Sequence, residues 1–233
     1  MTDLVVFGAN GPTGRHVVRQ ALASHHRVVA VTRKPDAFPV SSPHLDIVCA
    51  DVTDPVGVDR AVRDAQAVIS TFGVPYSRRR ITVYSQGITN IVQSMTARAI
   101  TRLVCVSSQT VATESAPGDS LLWRTMVEPL LRNHIGRTLY DDMQRMEEIV
   151  QSSGLDWTIV RPGGLFNAAE PTNDYEVGPP RLCGRVTSRA DLAATLIAEA
   201  VEPQCSRSII EVVTRSVRPS PLNCLKETFG GSS

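Results

Sequence analysis

The stretch that most constrains this chain is Val5-Val6-Phe7-Gly8-Ala9-Asn10-Gly11-Pro12-Thr13-Gly14-Arg15-His16-Val17-Val18. An apolar run ends in three glycines spaced three apart, and an amphipathic helical pattern follows. Strand, tight turn, helix is the reading these residues impose. Gly8 permits the sharp exit from the strand. Gly11 leaves no side chain between backbone and a ligand, and Gly14 lets the helix pack close to the sheet. Pro12 suits the first helical turn, where a missing N–H costs nothing. The open helix N-terminus then offers backbone N–H groups and a partial positive charge to a pyrophosphate. A glycine triplet alone is weak evidence. After a strand and before a helix, it stands in the context that a dinucleotide-binding turn demands.

The rest of the chain continues the alternation. After a first strand at 3–8, strands are expected at 27–32, 45–50, 67–71, 103–106, 157–160 and 208–213. Helices are expected at about 12–24, 55–64, 77–98, 120–133, 137–153 and 189–202, with Asp54 capping the second and a capping box from Ser188 to Asp191 opening the last. Gly154 reads as a helix stop. Residues 36–44, 111–120 and 165–184 read as loops. The alternation places the chain in the α/β class: a doubly wound parallel sheet with helices on both faces. One domain is expected over 1–218, followed by a frayed tail at 219–233.

Composition narrows the function. A net charge of +1 gives no reason to expect nucleic acid or an anionic membrane as partner. No apolar run approaches a membrane span, and the chain enters a strand within three residues, so neither signal peptide nor anchor is expected. Five cysteines form no CxxC pair, which points to a reducing cytoplasm. Five histidines show no metal-ligand spacing, so no metal site is expected. The expected partner is a small-molecule substrate; the oligomeric state is left open.

The strand ends carry the candidate site. In NAD-selective proteins the second strand ends on a carboxylate for the ribose 2′-OH. Here Arg33 and Lys34 stand in that place, two cations suited to a 2′-phosphate, so the expected cofactor is NADP(H). The alternative is a solvated basic turn before Pro35. Asp51 ends the third strand beside an adenine position, with turn capping as its other role. Gly73 follows the fourth strand and allows close backbone approach. Ser77-Arg78-Arg79-Arg80 set three cations at the start of the third helix, against its dipole; a solvated face is favoured over a phosphate contact. Ser107 and Ser108 end the fifth strand, and Ser108 is the polar candidate beside a reacting ring. The connections at about 109–122 and 162–187 leave strand carboxyl ends, where such folds hold substrate. Trp123, Phe166 and Tyr175 could line a cleft for a flat ligand, although each is commonly packing.

Gly8-x-x-Gly11-x-x-Gly14, Asp51-Val52, Ser107-Ser108, the run from Ser153 to Pro162 (SGLDWTIVRP) and Ser188-Arg189-Ala190-Asp191-Leu192-Ala193 occur in one order. Together they resemble the atypical short-chain dehydrogenase/reductases, in the NmrA-like and flavin/biliverdin-IXβ reductase-like branch. The resemblance covers nearly the whole chain. It implies a single Rossmann-type domain, with pyrophosphate on Gly8, Asn10, Gly11, Pro12, Thr13 and Gly14. It implies the 2′-phosphate on Arg33 and Lys34, adenine on Asp51 and Val52, and a ribose near Gly73. Ser107, Ser108 and Pro162, Gly163, Gly164 and Leu165 would flank the nicotinamide.

One departure matters. The wider superfamily carries a Tyr-x-x-x-Lys pair on the helix of 137–152, where the lysine makes the tyrosine a better base. In this chain Tyr140 is followed four places on by Gln144; anchored instead on Glu147, the two places are Leu139 and Met143. The only lysines are Lys34 and Lys226. Without that cation Tyr140 is a poor base for alcohol oxidation but can still donate to a carbonyl. The expected function is therefore NADPH-dependent reduction of a conjugated or carbonyl small molecule, with Ser108 and Tyr140 beside the chemistry. The rivals are an NADP(H)-sensing regulator without turnover, and an isomerase or cyclase on the same scaffold.

Overall fold

Unbroken apolar runs become inner strands because both of their faces are covered. The computed structural model describes residues 1–77, 79–112, 125, 130 and 136–216. Its main sheet holds β1 (Asp3–Phe7), β2 (Arg27–Thr32), β3 (Leu45–Cys49), β4 (Ala67–Ser70), β5 (Arg102–Val106), β6 (Asp156–Pro162), β8 (Tyr175–Gly178) and β10 (Ser208–Thr214). The order is β3-β2-β1-β4-β5-β6-β10-β8. All neighbours run parallel except β10 with β8. The turn back occurs between β1 and β4, the crevice where doubly wound folds bind ligands. A second, two-stranded ribbon pairs β7 (Gly164–Phe166) with β9 (Val186–Ser188).

The strand pleat sorts side chains into two cores. Val5, Phe7, Val68, Leu103, Cys105 and Ile159 face helices α2 (Pro55–Ala61), α3 (Val83–Ala97) and α4 (Arg137–Ser152). Leu4, Val6, Ile69, Val104, Val160 and Val212 face α1 (Pro12–Ala23) and α5 (Arg189–Val201). Buried Cys105 behaves as a hydrophobe, its thiol pushed up first by burial and then by nearby Glu147.

Most expected elements appear within a residue or two of their expected bounds. Asp54 caps α2 through the amides of Val56 and Gly57, Ser188 caps α5 through that of Asp191, and Gly154 sits at φ +73. Two expectations need correction. The third helix starts at Val83, not Ser77. Ile81 turns into the core before it, and Arg79 and Arg80 lie exposed ahead of the first turn. The start is set from outside: buried Asp142 on α4 accepts from the Tyr84 amide at 2.9 Å and the Ser85 hydroxyl at 2.6 Å. The connection 165–184 is not only loop, since it contains the rest of β7 and all of β8; pieces of three and four residues show too little periodicity to be seen. Most of the expected helix at 120–133, most of the loop at 111–120, Arg78, Trp123 and the tail from Pro219 lie outside the described residues.

Asp142 is fully buried and supports the N-terminal turn of a helix other than its own. Asp142→Ala is expected to cost about 3 kcal/mol, because it strands buried donors. Asp142→Asn keeps an acceptor and loses less. Urea denaturation of both variants measures the difference.

Candidate functional site

Gly8 has φ +76, and a Cβ there would lie 2.5 Å from the Phe72 nitrogen. A Cβ on Gly14 would lie 2.2 Å from the Gly8 carbonyl oxygen. These two glycines let strand, neighbouring crossover and helix close on one another. Gly11 is different: its added carbon would meet only the Gly8 oxygen, at 3.1 Å. That side of the turn is otherwise open, as close ligand approach requires.

No side chain caps the first turn of α1, and no acidic residue stands in it. Pro12 occupies the first helical position. The Asn10 carboxamide accepts from Arg15 Nε at 3.0 Å, which brings a guanidinium to the edge of the turn. Thr13 is buried. The turn thus presents bare amides and a cation at the switch point of the sheet, which fits a pyrophosphate.

The adenosine side is built at the ends of β2 and β3. Arg33 and Lys34 are exposed. Arg33 lies 3.7 Å from Asp51, a surface pair of little energetic weight. Asp51 accepts from the Thr53 backbone at 2.9 Å and the Thr53 hydroxyl at 2.7 Å. These bonds, the backbone one first, hold its carboxyl below the usual carboxylate range. Asp51 therefore does cap the following turn. The Val52 carbonyl accepts from Asn90, and its side chain packs over Gly87.

Gly73 is exposed beyond β4, and the next amide, of Val74, donates to the Tyr84 hydroxyl at 3.2 Å. Burial pushes the Tyr84 phenol up to about 12. Ser107 directly follows β5, with its hydroxyl oxygen buried and without a partner among the described residues. An orphaned hydroxyl at a strand carboxyl end fits a polar ligand group there. Ser108 is half-buried, and its oxygen accepts from the Thr110 amide at 3.2 Å, which leaves its own proton to donate.

Pro162 is buried at the end of β6. Gly163 is glycine for packing: a Cβ would sit 2.5 Å from the Arg185 backbone. Its amide donates to the Thr187 hydroxyl at 3.0 Å. Leu165 packs against the α1 and α5 core. Phe166 is buried, and Tyr175 packs on that same core, so neither stands out as a cleft wall.

Tyr140 opens α4 and is buried; its hydroxyl lies 2.7 Å from that of Tyr76, with the rings edge-on. Burial, then Tyr140, push the Tyr76 phenol well above its ordinary value. Gly136 makes room for both rings. The Thr138 hydroxyl donates to the Ser77 carbonyl at 2.8 Å and fastens the same two segments.

Sequence reasoning missed a buried ion pair at the carboxyl end of the sheet. Arg161, the last residue but one of β6, donates Nε at 2.9 Å and Nη2 at 2.5 Å to the carboxylate of Glu147 on α4. The signal was present: a helical Glu and a strand-end Arg facing one core. Beside this pair lies a cleft of about 320 Å³, lined by Val111, Ala112, Gln144, Glu147, Arg161 and Pro180 among others.

Residues 8–203 match the profile of the NAD(P)H-binding family. The chain belongs to that family. An uncharacterised chloroplastic protein of Arabidopsis thaliana is 33% identical over 225 residues, covering 92% of this chain and 77% of the other. ChuY, an anaerobillin reductase from Escherichia coli O157:H7, is 25% identical with a TM-score of 0.73, covering 94% of this chain and all of its own. A short-chain dehydrogenase/reductase of Veillonella parvula, solved in complex with NADP, has a TM-score of 0.77 at 18% identity, covering 94% and 99%. The NAD(P)H-binding chain thus has the Rossmann fold of the atypical short-chain dehydrogenase/reductases that its motifs resemble. No helix among the described residues is long and apolar enough to cross a membrane.

The glycines separate stability from binding. Gly14→Ala is expected to lower both the melting temperature and NAD(P)H affinity, since its Cβ has no room. Gly11→Ala is expected to leave melting nearly unchanged while weakening the dinucleotide about tenfold. Calorimetric titration beside thermal unfolding resolves the two.

Proposed function

We propose that this NAD(P)H-binding protein is an NADPH-dependent reductase that passes hydride to a conjugated or carbonyl small molecule without a Tyr-x-x-x-Lys pair. The observation that carries it is the uncapped, open turn at Gly11 with Arg33 and Lys34 at the next strand end. Arg33, Lys34 and Asp51 sum to one positive charge, which favours a 2′-phosphate over a bare ribose. Gly8, Asn10, Gly11, Pro12, Thr13 and Gly14 would hold the pyrophosphate. Asp51 and Val52 would hold the adenine, Gly73 a ribose, and Ser107, Pro162, Gly163 and Leu165 the nicotinamide side. When bound, the cofactor supplies the hydride; the protein supplies orientation and a shaped cleft.

The acceptor would lie in the 320 Å³ cleft, between the turn that follows Ser108 and the 162–187 connection. Its lining mixes apolar walls with Gln144 and the Glu147–Arg161 pair, which suits a flat molecule with polar substituents. Ser108 precedes the turn that gives the cleft Val111, and Tyr140 lies one helical turn before Gln144; these are the hydroxyls assigned to the chemistry. Charge delocalised over a conjugated acceptor asks little of them, so the missing lysine is tolerable. The reading assigns the chain to the NmrA-like and flavin-reductase-like branch and to the cytoplasm, with no nucleic acid or membrane partner.

A second reading has its own support. The Tyr140 hydroxyl is paired with that of Tyr76 and no lysine stands on its helix, so a proton donor at that place is already partnered. That favours an NADP(H) sensor without turnover. Absorbance assays of NADPH with FMN, a benzoquinone, biliverdin and an aldehyde decide between them. Oxidation of NADPH is the expected result, and tight binding with none establishes the sensor. Arg33→Ala with Lys34→Ala is expected to weaken NADPH roughly 10- to 100-fold and leave NADH unchanged. Equal losses for both nucleotides would refute the 2′-phosphate assignment.

A further inference from the structure

We propose that Glu211 is a positioning residue that couples two segments bordering the acceptor cleft through a single carboxylate oxygen. The proposal rests on the cleft being the acceptor's site. Glu211 lies in mid-strand on β10, is 3% exposed, and stands opposite Arg161 in the β6–β10 register. The guanidinium of Arg161 is engaged by Glu147. The donors to Glu211 come instead from two loops. Its Oε2 accepts from Gln109 Nε2 at 3.1 Å and from the Leu182 amide at 3.0 Å.

Gln109 opens the turn Gln109–Val111, directly after Ser108. Leu182 lies in the segment between β8 and β9. The first segment gives the cleft Val111 and Ala112; the second gives it Pro180 and Arg181. A carboxylate in mid-strand between Ile210 and Val212 is costly to bury, and these two N–H donors offset that cost. Because one oxygen serves both, displacing either segment moves the acceptor on which the other depends. An acceptor molecule that spreads the cleft therefore works against both bonds, and Ser108 moves with the turn.

The test is amide hydrogen exchange of the full chain with NADPH, read at residues 107–112 and 179–184, in Glu211→Met, Glu211→Gln and Gln109→Met. Glu211→Met is expected to speed exchange in both segments, roughly tenfold at Leu182. Gln109→Met leaves Glu211 and Leu182 in place, and coupling predicts roughly threefold faster exchange at 179–184 even so. Glu211→Gln keeps an oxygen able to accept both donors and should stay close to the unmodified chain. With whichever of FMN, benzoquinone or biliverdin is reduced, the Glu211→Met loss should fall more on KM than on kcat, while NADPH affinity holds. If Glu211→Met does not fold, Gln109→Met carries the test. Unchanged exchange at 179–184 in Gln109→Met overturns the coupling. No NADPH oxidation by the unmodified chain overturns the reductase reading instead, and the exchange data still decide the coupling.

Discussion

Helix α1 begins where it does because nothing occupies the space between Gly14 and the Gly8 carbonyl. That contact brings the helix N-terminus against the end of β1, beside the end of β4, at the point where strand order reverses. Any side chain at Gly14 would push the helix away, and its amides with it. The dinucleotide turn is thus a packing solution first and a binding surface second. Only Gly11 is small for the sake of what approaches from outside.

The carboxyl end of the sheet is assembled from segments that cannot hold one another by apolar contact alone. Buried carboxylates join them. Asp142 ties α4 to α3, and Glu147 ties α4 to the end of β6. Asp191 accepts from Thr172 in the β7–β8 connection and from Thr214 on β10. Glu211 joins the Ser108 turn to the segment before β9. Each is satisfied by several donors, which makes its burial tolerable and its removal costly. Among the described residues, the amino end of the sheet has one comparable hub: Arg102 reaches Asp156, Thr158 and Glu199. That hub lies away from the strand ends that face ligand.

The middle of the site holds a tyrosine pair on a helix without lysine. Tyr140 turns its hydroxyl to Tyr76, and the two rings pack over Gly136 in a setting that disfavours a phenolate on Tyr76. Such a pair suits holding or donating protons better than removing them from an alcohol. It is compatible with the proposed hydride delivery to an acceptor that manages its own charge.

The sequence alone determined the class, a doubly wound α/β sheet, and the glycine turn, because these depend on local periodicity and on backbone freedom within a few residues. It also located the caps at Asp54 and Ser188, which act on their own helices. What it did not show was every contact made across elements. Asp142 starts a helix that lies 58 residues earlier, so the cations at 79–80 looked helical when they are not. The Glu147–Arg161 pair, the Tyr76–Tyr140 pair and the Glu211 junction join residues 14 to 102 positions apart. Only the tertiary structure decides which buried charge meets which donor, since that depends on which faces the sheet and helices bring together and not on spacing along the chain.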